Sequence, residues 1–481
     1  MSQRTQAVAN SEEEPNMPSL RSYLSRMKNL ALSSNANSSQ RKTALVMGNP
    51  SADLDSFISA VVTSYLYNLR RNARQSGSRT YIPVLNLPAI RSSDLWRLRP
   101  EYGVAVRLAL GEPADAVSQG EAGSQGKTSV LDELVTIADL KENEESSLQR
   151  FFLDSGDSES RSEEGKQHLF LVDHNSPSIP GLSAEVISSR FTVTGCIDHH
   201  VDENYISKDA KPRIITTGIG SCTSLVVKHL RDQGMWPSPV QEETQPLVEI
   251  SRLALAPILI DTSNLKARGD KCSDIDREVV KFLESIIKSQ SAEVTKSSTS
   301  SPSAWDGGAF HASISTAKSN SLDLLSMPEI FDRDYKVWTE KTSSGSEINI
   351  GISSLVRPLS WLIKHAGGID EFLASISDFA NDLERKLGVF CLLTRTGEGR
   401  KEVVVLSFDE AVKDLTAKFE DRGTELQLKR WAEDRALMDR LTQKFEEKGE
   451  RTGEWKIWFM GDTSKSRKQV GPLLREVVRD L

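Results

Sequence analysis

The sequence predicts an α/β protein of two domains, a larger N-terminal one on a parallel sheet and a smaller C-terminal one with a mixed sheet. Three observations predict it. Apolar runs at TALVMG (43–48), LFLVDHN (169–175), FTVTGCIDHH (191–200) and LALAPILIDT (253–262) are continuous rather than alternating, as suits strands covered on both faces of a parallel sheet. A Ser-rich stretch over 288–308 then interrupts the chain. Beyond it come four further strand candidates, INIGISSL (348–355), VFCLLTR (389–395), EVVVLSF (402–408) and KIWFMGD (456–462).

Taken in order, residues 1–40 are polar and Ser/Asn-rich and read as a flexible tail, with a short basic helix at Ser19–Leu32. The run at 43–48 is a strand, and from Phe57 the pattern FISAVVTSYLYNLRR carries apolar residues at helical spacing. Strand, loop and helix in that order make an α/β unit. Residues 111–127 and 154–167 are rich in Gly, Ser and Glu and read as solvated insertions around one helix, Val130–Leu140. In the second half, helical segments at 368–386 and 425–448 lie between the strands. The domain boundaries expected are 41–290 for the first unit, 291–318 for a Ser-rich linker and 319–481 for the second.

Composition narrows the function classes. The chain has 481 residues, 38% hydrophobic and 27% charged, enough apolar material for buried cores. Its net charge of −8 argues against nucleic-acid coating, which draws its free energy from basic residues meeting phosphates. A negative average still allows an anionic substrate, because bound cations reverse the sign of one cleft. No run approaches the roughly 18 apolar residues of a membrane span. The first twenty residues lack the apolar segment of a secretory signal, and the four cysteines share no metal spacing. These features read as a cytoplasmic protein with reduced thiols, acting as a monomer away from membranes.

Four polar clusters carry the chemistry. They are Gly48-Asn49-Pro50-Ser51-Ala52-Asp53-Leu54-Asp55-Ser56, Asp173-His174-Asn175, Asp198-His199-His200 and Asp261-Thr262, and they hold three of the seven histidines. Any one of them is ordinarily a turn or a helix cap. All four, however, close apolar runs, and in open α/β sheets ligands bind beyond the carboxyl ends of the strands. Carboxylates gathered there repel one another unless cations lie between them. Oxygen donors suit hard divalent ions and histidines the borderline ones. The economical reading is a two-metal site with one bridging carboxylate, an arrangement suited to phosphoryl transfer.

The series D-x-D, D-H-N, D-H-H and D-T resembles the DHH phosphoesterase superfamily, in the branch with a C-terminal DHHA2 domain. That branch holds fungal-type cytosolic exopolyphosphatases, family II inorganic pyrophosphatases and prune-type proteins. The resemblance covers roughly residues 43–481 and implies the catalytic site lies in a cleft between the domains. It implies that Asp53 and Asp173 bind a first divalent cation, and that Asp55, His199 and Asp261 complete a second site with Asp173 bridging. The cations implied are Mn or Mg, with Co a further option, and a water between them is the implied nucleophile. Asp198 is implied to orient a ligand, and His200 to meet a phosphate oxygen.

Two further segments extend it. Gly218-Ile219-Gly220-Ser221-Cys222-Thr223-Ser224 precedes a helical run, so its backbone N–H groups, with Ser221, are candidates to hold a phosphate. Ser464-Lys465-Ser466-Arg467-Lys468-Gln469-Val470-Gly471-Pro472 resembles the S-R-K-x-Q-V-x-P signature that brings Arg and Lys to the substrate, which implies contacts from Arg467 and Lys468. Lys336 is a third candidate. One departure is informative. Family II pyrophosphatases carry a His ligand four residues before the first Asp, where this chain has Asn49, a weak or absent ligand. The segment G-N-x-x-A-D-L-D-S is similar to exopolyphosphatases instead, so inorganic polyphosphate is the expected substrate. A pyrophosphatase, a nucleotide phosphodiesterase and a prune-like interaction protein are the alternatives.

Overall fold

The fold was described from a computed structural model, which covers residues 17–36, 42–72, 79–114, 129–153, 165–237, 244–294, 305–323, 325–431, 435–447 and 454–481. The first sheet has five parallel strands: β1 (Thr43–Met47), β2 (Thr80–Val84), β3 (Gln167–Val172), β4 (Phe191–Asp198) and β5 (Arg213–Ile215). Their spatial order is β2-β1-β3-β4-β5. The chain leaves β1 toward β2 on one side and returns to β3 on the other. The crevice between the carboxyl ends of β1 and β3 is therefore a switch point, where such sheets bind ligands. All five residues of β1 are buried, as a strand covered on both faces requires.

The helices Leu54–Asn72, Cys222–Asp232, Thr244–Asp261 and Asp274–Val294 build the larger core on one face of this sheet. A second apolar cluster, with Leu45, Met47, Leu169 and Phe191, covers the other face. The run at 253–262, expected as a strand, is instead the end of helix Thr244–Asp261. Leu253, Ala254, Leu255, Ala256, Ile258 and Leu259 are all buried. A helix buried all round shows the same unbroken apolar run as a buried strand, and here Leu and Ala settle the conformation. The helix expected over 130–140 is two short pieces, Val130–Glu133 and Ile137–Glu142, because Ser129 and Thr136 each start a separate capping box.

Two further expectations change. Helix Leu20–Ala31, capped by Ser19, buries Leu20, Tyr23, Leu24 and Met27 in the main core, so this stretch is structural rather than tail. Of the Ser-rich segment, residues 295–304 lie outside the described residues, whereas 307–319 form a helix whose Phe310 and Ile314 join the first domain's core. Most of the insertions at 111–127 and 154–167 also lies outside the described residues.

The second sheet has six strands in the order β10-β11-β9-β8-β7-β6. They are β6 (Tyr335–Lys341), β7 (Glu347–Ser354), β8 (Leu387–Arg395), β9 (Lys401–Ser407), β10 (Leu428–Arg430) and β11 (Trp455–Met460). Only β7 and β8 pair in parallel, so the sheet is mixed as expected. The helices expected at 368–386 and 425–448 are Ile369–Asn381 and Arg435–Glu447, the latter preceded by β10.

Ion pairs tie the domains together beside the β1 loop. The Arg333 guanidinium donates to both carboxylate oxygens of Glu101 (2.7 and 2.8 Å), and Arg99 donates to the carbonyls of Ser51 (3.1 Å) and Arg333 (2.9 Å). Arg97 adds a partly exposed pair with Glu329 at 2.8 Å. The Arg333 and Glu101 side chains are only 10% and 4% exposed, so breaking the pair leaves a buried charge alone. Glu101→Ala should destabilise the protein by about 3 kcal/mol, read from urea unfolding. Glu101→Met with Arg333→Met should recover most of that loss.

Candidate metal centre

The site is built where β1, β3 and β4 end. Gly48 follows β1, and a Cβ there would come within 2.5 Å of the Ser56 Cβ, so only Gly lets helix Leu54–Asn72 start this close to the strand. Ala52 takes φ 41° and Asp173 φ 61°, left-handed values that cost free energy in non-glycine residues and concentrate at functional sites. Asp53 Oδ1 accepts from Ser56 N (3.0 Å), so this carboxylate also caps the helix.

Asp173 is buried at the centre. Its Oδ2 accepts from Ser56 Oγ (2.6 Å) and Asn49 Nδ2 (2.8 Å), and its Oδ1 lies 3.2 Å from His199 Nε2. His199 Nδ1 donates to the Ile219 carbonyl (3.0 Å), which aims Nε2 at the carboxylates. His200 Nδ1 donates to Asp198 Oδ1 (2.7 Å) and lies 3.8 Å from Asp173 Oδ1. Asp198 is fully buried and also accepts from Asn175 Nδ2 (2.5 Å). One donor atom from each of Asp173, His199 and His200 falls within 4.8 Å of the others. Asp55 and Asp261 adjoin this trio, as their electrostatic coupling to it shows. Among the described residues Asp261 accepts no hydrogen bond.

From the second domain, Lys468 Nζ reaches 3.4 Å from His199 Nε2. Arg467 lies beside it, donating to the carbonyl and to Oδ1 of Asp334 (2.7 Å each). Lys336, on β6, has no ion-pair partner among the described residues and interacts electrostatically with Asp173, Asp53 and Arg467.

Comparison with known proteins agrees with this layout. The DHH family, N-terminal domain, matches residues 43–258, and the DHHA2 domain matches residues 312–477. The chain carries a DHH family N-terminal domain followed by a DHHA2 domain. A Schizosaccharomyces pombe protein named "Putative exopolyphosphatase" is 28% identical over 462 residues, covering 95% of this chain and 96% of its own. A solved Methanococcus jannaschii structure, described as a "putative family II inorganic pyrophosphatase", is 17% identical with a TM-score of 0.46, covering 90% of this chain and 98% of its own. An "exopolyphosphatase-related protein" from Bacteroides fragilis is 12% identical with a TM-score of 0.35, covering 95% and 97%.

Two residues named from sequence are bonded to the acids themselves. Asn49, expected as a weak or absent ligand, has its Oδ1 occupied by Ser51 N (2.9 Å), Ser51 Oγ (2.6 Å) and Ala52 N (3.2 Å), and its amide nitrogen faces Asp173. It shapes the DHH loop and steadies the central carboxylate. Ser221, named as a phosphate contact, is fully buried and its hydroxyl donates to Asp55 Oδ1 (2.8 Å). The helix start at 222 holds internal carboxylates instead of a phosphate. Asp55 accepts from Cys222 N (2.6 Å) and Thr223 N (2.9 Å), and Asp276 from Gly220 N (2.9 Å) and Ser224 Oγ (2.6 Å). Asp55 Oδ1 is saturated by these donors, while Oδ2 accepts one bond and keeps a lone pair. Sequence reasoning missed Asn175, Ser56, Asp276 and Asp334 as positioning residues, since their partners are distant in the chain.

The charges gathered here are unbalanced. Burial, and then the neighbouring Asp53, push the Asp173 carboxyl up to about 7. Burial, Asp55 and Asp53 likewise hold Asp261 well above the usual carboxylate range. His199 is raised to about 9: burial lowers it, and the Asp173 hydrogen bond together with the charges of Asp173 and Asp55 outweighs that. His200 is lowered to about 3, mainly by burial and by the charges of Lys468 and His199. Asp198, despite burial, is held low by His200 and Asn175. Carboxylates and imidazoles gathered this closely, holding protons in place of a counter-charge, form a donor set suited to divalent cations.

The sign of the resulting pH dependence follows. Between the unfolded carboxyl value of 3.8 and about 7, folded Asp173 holds a proton the unfolded chain lacks, so stability falls as pH rises. His199 continues the fall from 6.5 to about 9. In chelator, the melting temperature of the wild type should therefore decline over this range more steeply than that of Asp173→Asn. Equal pH profiles would contradict the assignment.

Proposed function

We propose that the protein hydrolyses the terminal phosphoanhydride bond of inorganic polyphosphate, releasing orthophosphate with the help of divalent cations. The observation that carries this reading is the facing of two opposite charge sets. Carboxylates and His199 at the DHH sheet edge meet Lys468 and Lys336 from the other domain, with Lys468 Nζ 3.4 Å from His199 Nε2. Such a cleft binds a metal on one side and phosphate oxygens on the other. The near-complete alignment with the fission yeast relative supports the same substrate class.

In this reading Asp53 and Asp173 would hold one divalent cation, and Asp55, His199 and Asp261, together with Asp173, would hold a second. Bound divalent cations supply positive charge to phosphate oxygens and lower the pKa of water. The chain's own residues do the rest. Asn49 and Ser56 fix Asp173, while the Ile219 carbonyl fixes the His199 tautomer. Asp198 and Asn175 fix His200, whose Nδ1–H is committed, so its Nε2 accepts a hydrogen bond from water or a protonated phosphate. It donates to a phosphate oxygen once the arriving anion has raised its proton affinity. Arg467, held by Asp334, and Lys468 and Lys336 neutralise the phosphates beside the cleaved bond. The attacking water oxygen ends on orthophosphate, and the shortened chain leaves with the bridging oxygen.

Phosphate release from long-chain polyphosphate, tripolyphosphate and pyrophosphate, with Mg and with Mn, tests the reading. Fast release from the longer substrates and little from pyrophosphate is expected; preference for pyrophosphate, or release from none, overturns it. His199→Ala and Asp261→Ala should each lower kcat by roughly a thousandfold while the fold is retained.

A further inference from the structure

The stretch Arg97–Tyr102, which enters helix Pro100–Ala109, touches both domains. Pro100 disfavours the α conformation at the residue before it, so the short helix Leu95–Leu98 stops and Arg99 sits between two helices at φ −139°. On one side the stretch meets the second domain. Arg97 pairs with Glu329 (2.8 Å), Arg333 donates to the Leu98 carbonyl and to both carboxylate oxygens of Glu101, and Arg99 donates to the Arg333 carbonyl (2.9 Å). On the other side it meets the loop after β1. Arg99 donates to the Ser51 carbonyl (3.1 Å), and the Tyr102 hydroxyl donates to the Ala52 carbonyl, with that of Asp53 3.2 Å away.

The loop depends on these contacts. Its N–H groups are held from within, since Asn49 Oδ1 takes the amides of Ser51 and Ala52. Its carbonyls are not. Among the described residues the Ser51 carbonyl accepts only from Arg99, and the Ala52 carbonyl only from Tyr102. Ser51, Ala52, Arg99 and Tyr102 are all buried, so a lost bond leaves a carbonyl that water does not reach. Ala52 is also held at φ 41°, a backbone value that persists only where the surroundings impose it. The next residues are Asp53 and Asp55, two of the candidate ligands. The Tyr102 ring stacks on Phe57 at 4.6 Å, which ties the stretch to the helix that carries Asp55 as well.

We propose that Arg97–Tyr102 is a positioning lever: the seating of the second domain on Arg97, Arg99 and Glu101 sets the Ser51–Asp53 backbone through Arg99 and Tyr102, and so sets the affinity of Asp53 and Asp55 for divalent cations. This rests on the reading above in which those two acids are ligands, and adds what controls them. Neither Arg99 nor Tyr102 is a ligand; both act through backbone carbonyls. Linkage makes the effect reciprocal, so a cation held by the two acids favours the seated second domain. The acidic half of the cleft is then complete only when the basic half is in place.

The test is a manganese titration of the full-length protein without substrate, with free ion read by electron paramagnetic resonance. Tyr102→Phe keeps the ring and its stacking and removes only the hydroxyl. Its Kd for manganese should rise at least about threefold, the effect of one buried hydrogen bond. Glu101→Met with Arg333→Met removes the domain contact and touches no candidate ligand, and its Kd should rise by a similar factor. If that buried pair does not fold once replaced, Arg97→Gln with Glu329→Gln, at the partly exposed pair, decides the domain arm by the same readout. Tyr23→Phe is the control. Its hydroxyl bonds to Ser64 Oγ (2.9 Å) in the same core but away from the loop, so the melting temperature should fall while Kd holds. An unchanged Kd in Tyr102→Phe or in the domain-contact variant overturns the lever, and so does a rise in Tyr23→Phe equal to that in Tyr102→Phe. A wild type that binds no manganese overturns the metal-centre reading, and the lever with it. Phosphate release plays no part, so failure of the polyphosphate reading alone leaves this test intact.

Discussion

The structure turns on the placing of Asp173, a buried carboxylate in a left-handed backbone position at the switch point of the parallel sheet. Three loops converge there because β1, β3 and β4 run in the same direction, and each loop brings an acid. The cost of gathering them is visible in the protons that Asp173 and Asp261 retain. Polar neighbours limit that cost: Asn49 and Ser56 on Asp173, and the helix start at 222 on Asp55. A cation in the cleft removes it. The family's acidic residues are thus held by a framework of amides and hydroxyls that the fold supplies from its own helix starts.

The second domain answers with positive charge. Arg467 is steadied by Asp334, whereas Lys336, Lys468 and Lys401 are left without direct carboxylate partners among the described residues. Each half is electrostatically incomplete, negative on the DHH side and positive on the DHHA2 side, and the two meet where Lys468 Nζ lies 3.4 Å from His199 Nε2. The Arg333–Glu101 pair holds them in register next to the Ser51 carbonyl, so domain geometry and loop geometry are coupled.

Much of this was legible in the sequence because it is local. The unbroken apolar runs, each followed by an acidic cluster, placed β1, β3 and β4, and the D-x-D, D-H-N and D-H-H spacings named the acids and imidazoles that the fold brings together. Three things were not legible, each for a physical reason. The run ending at Asp261 is a helix, since complete burial erases the periodicity that separates helix from strand. Strand β6, which carries Lys336, is an edge strand of half-buried residues with no apolar run to mark it. The hydrogen bonds of Asn49 and Ser221 reach carboxylates 124 and 166 residues away.

The central claim is that the acids around Asp173 form one cation-binding centre. Diffraction from crystals grown with manganese, recorded at the manganese absorption edge, tests it most directly. The account predicts two anomalous peaks that share Asp173 as a ligand, one reached by Asp53 and the other by His199 and Asp261. Manganese found elsewhere on the molecule, with no peak against Asp173, would contradict it.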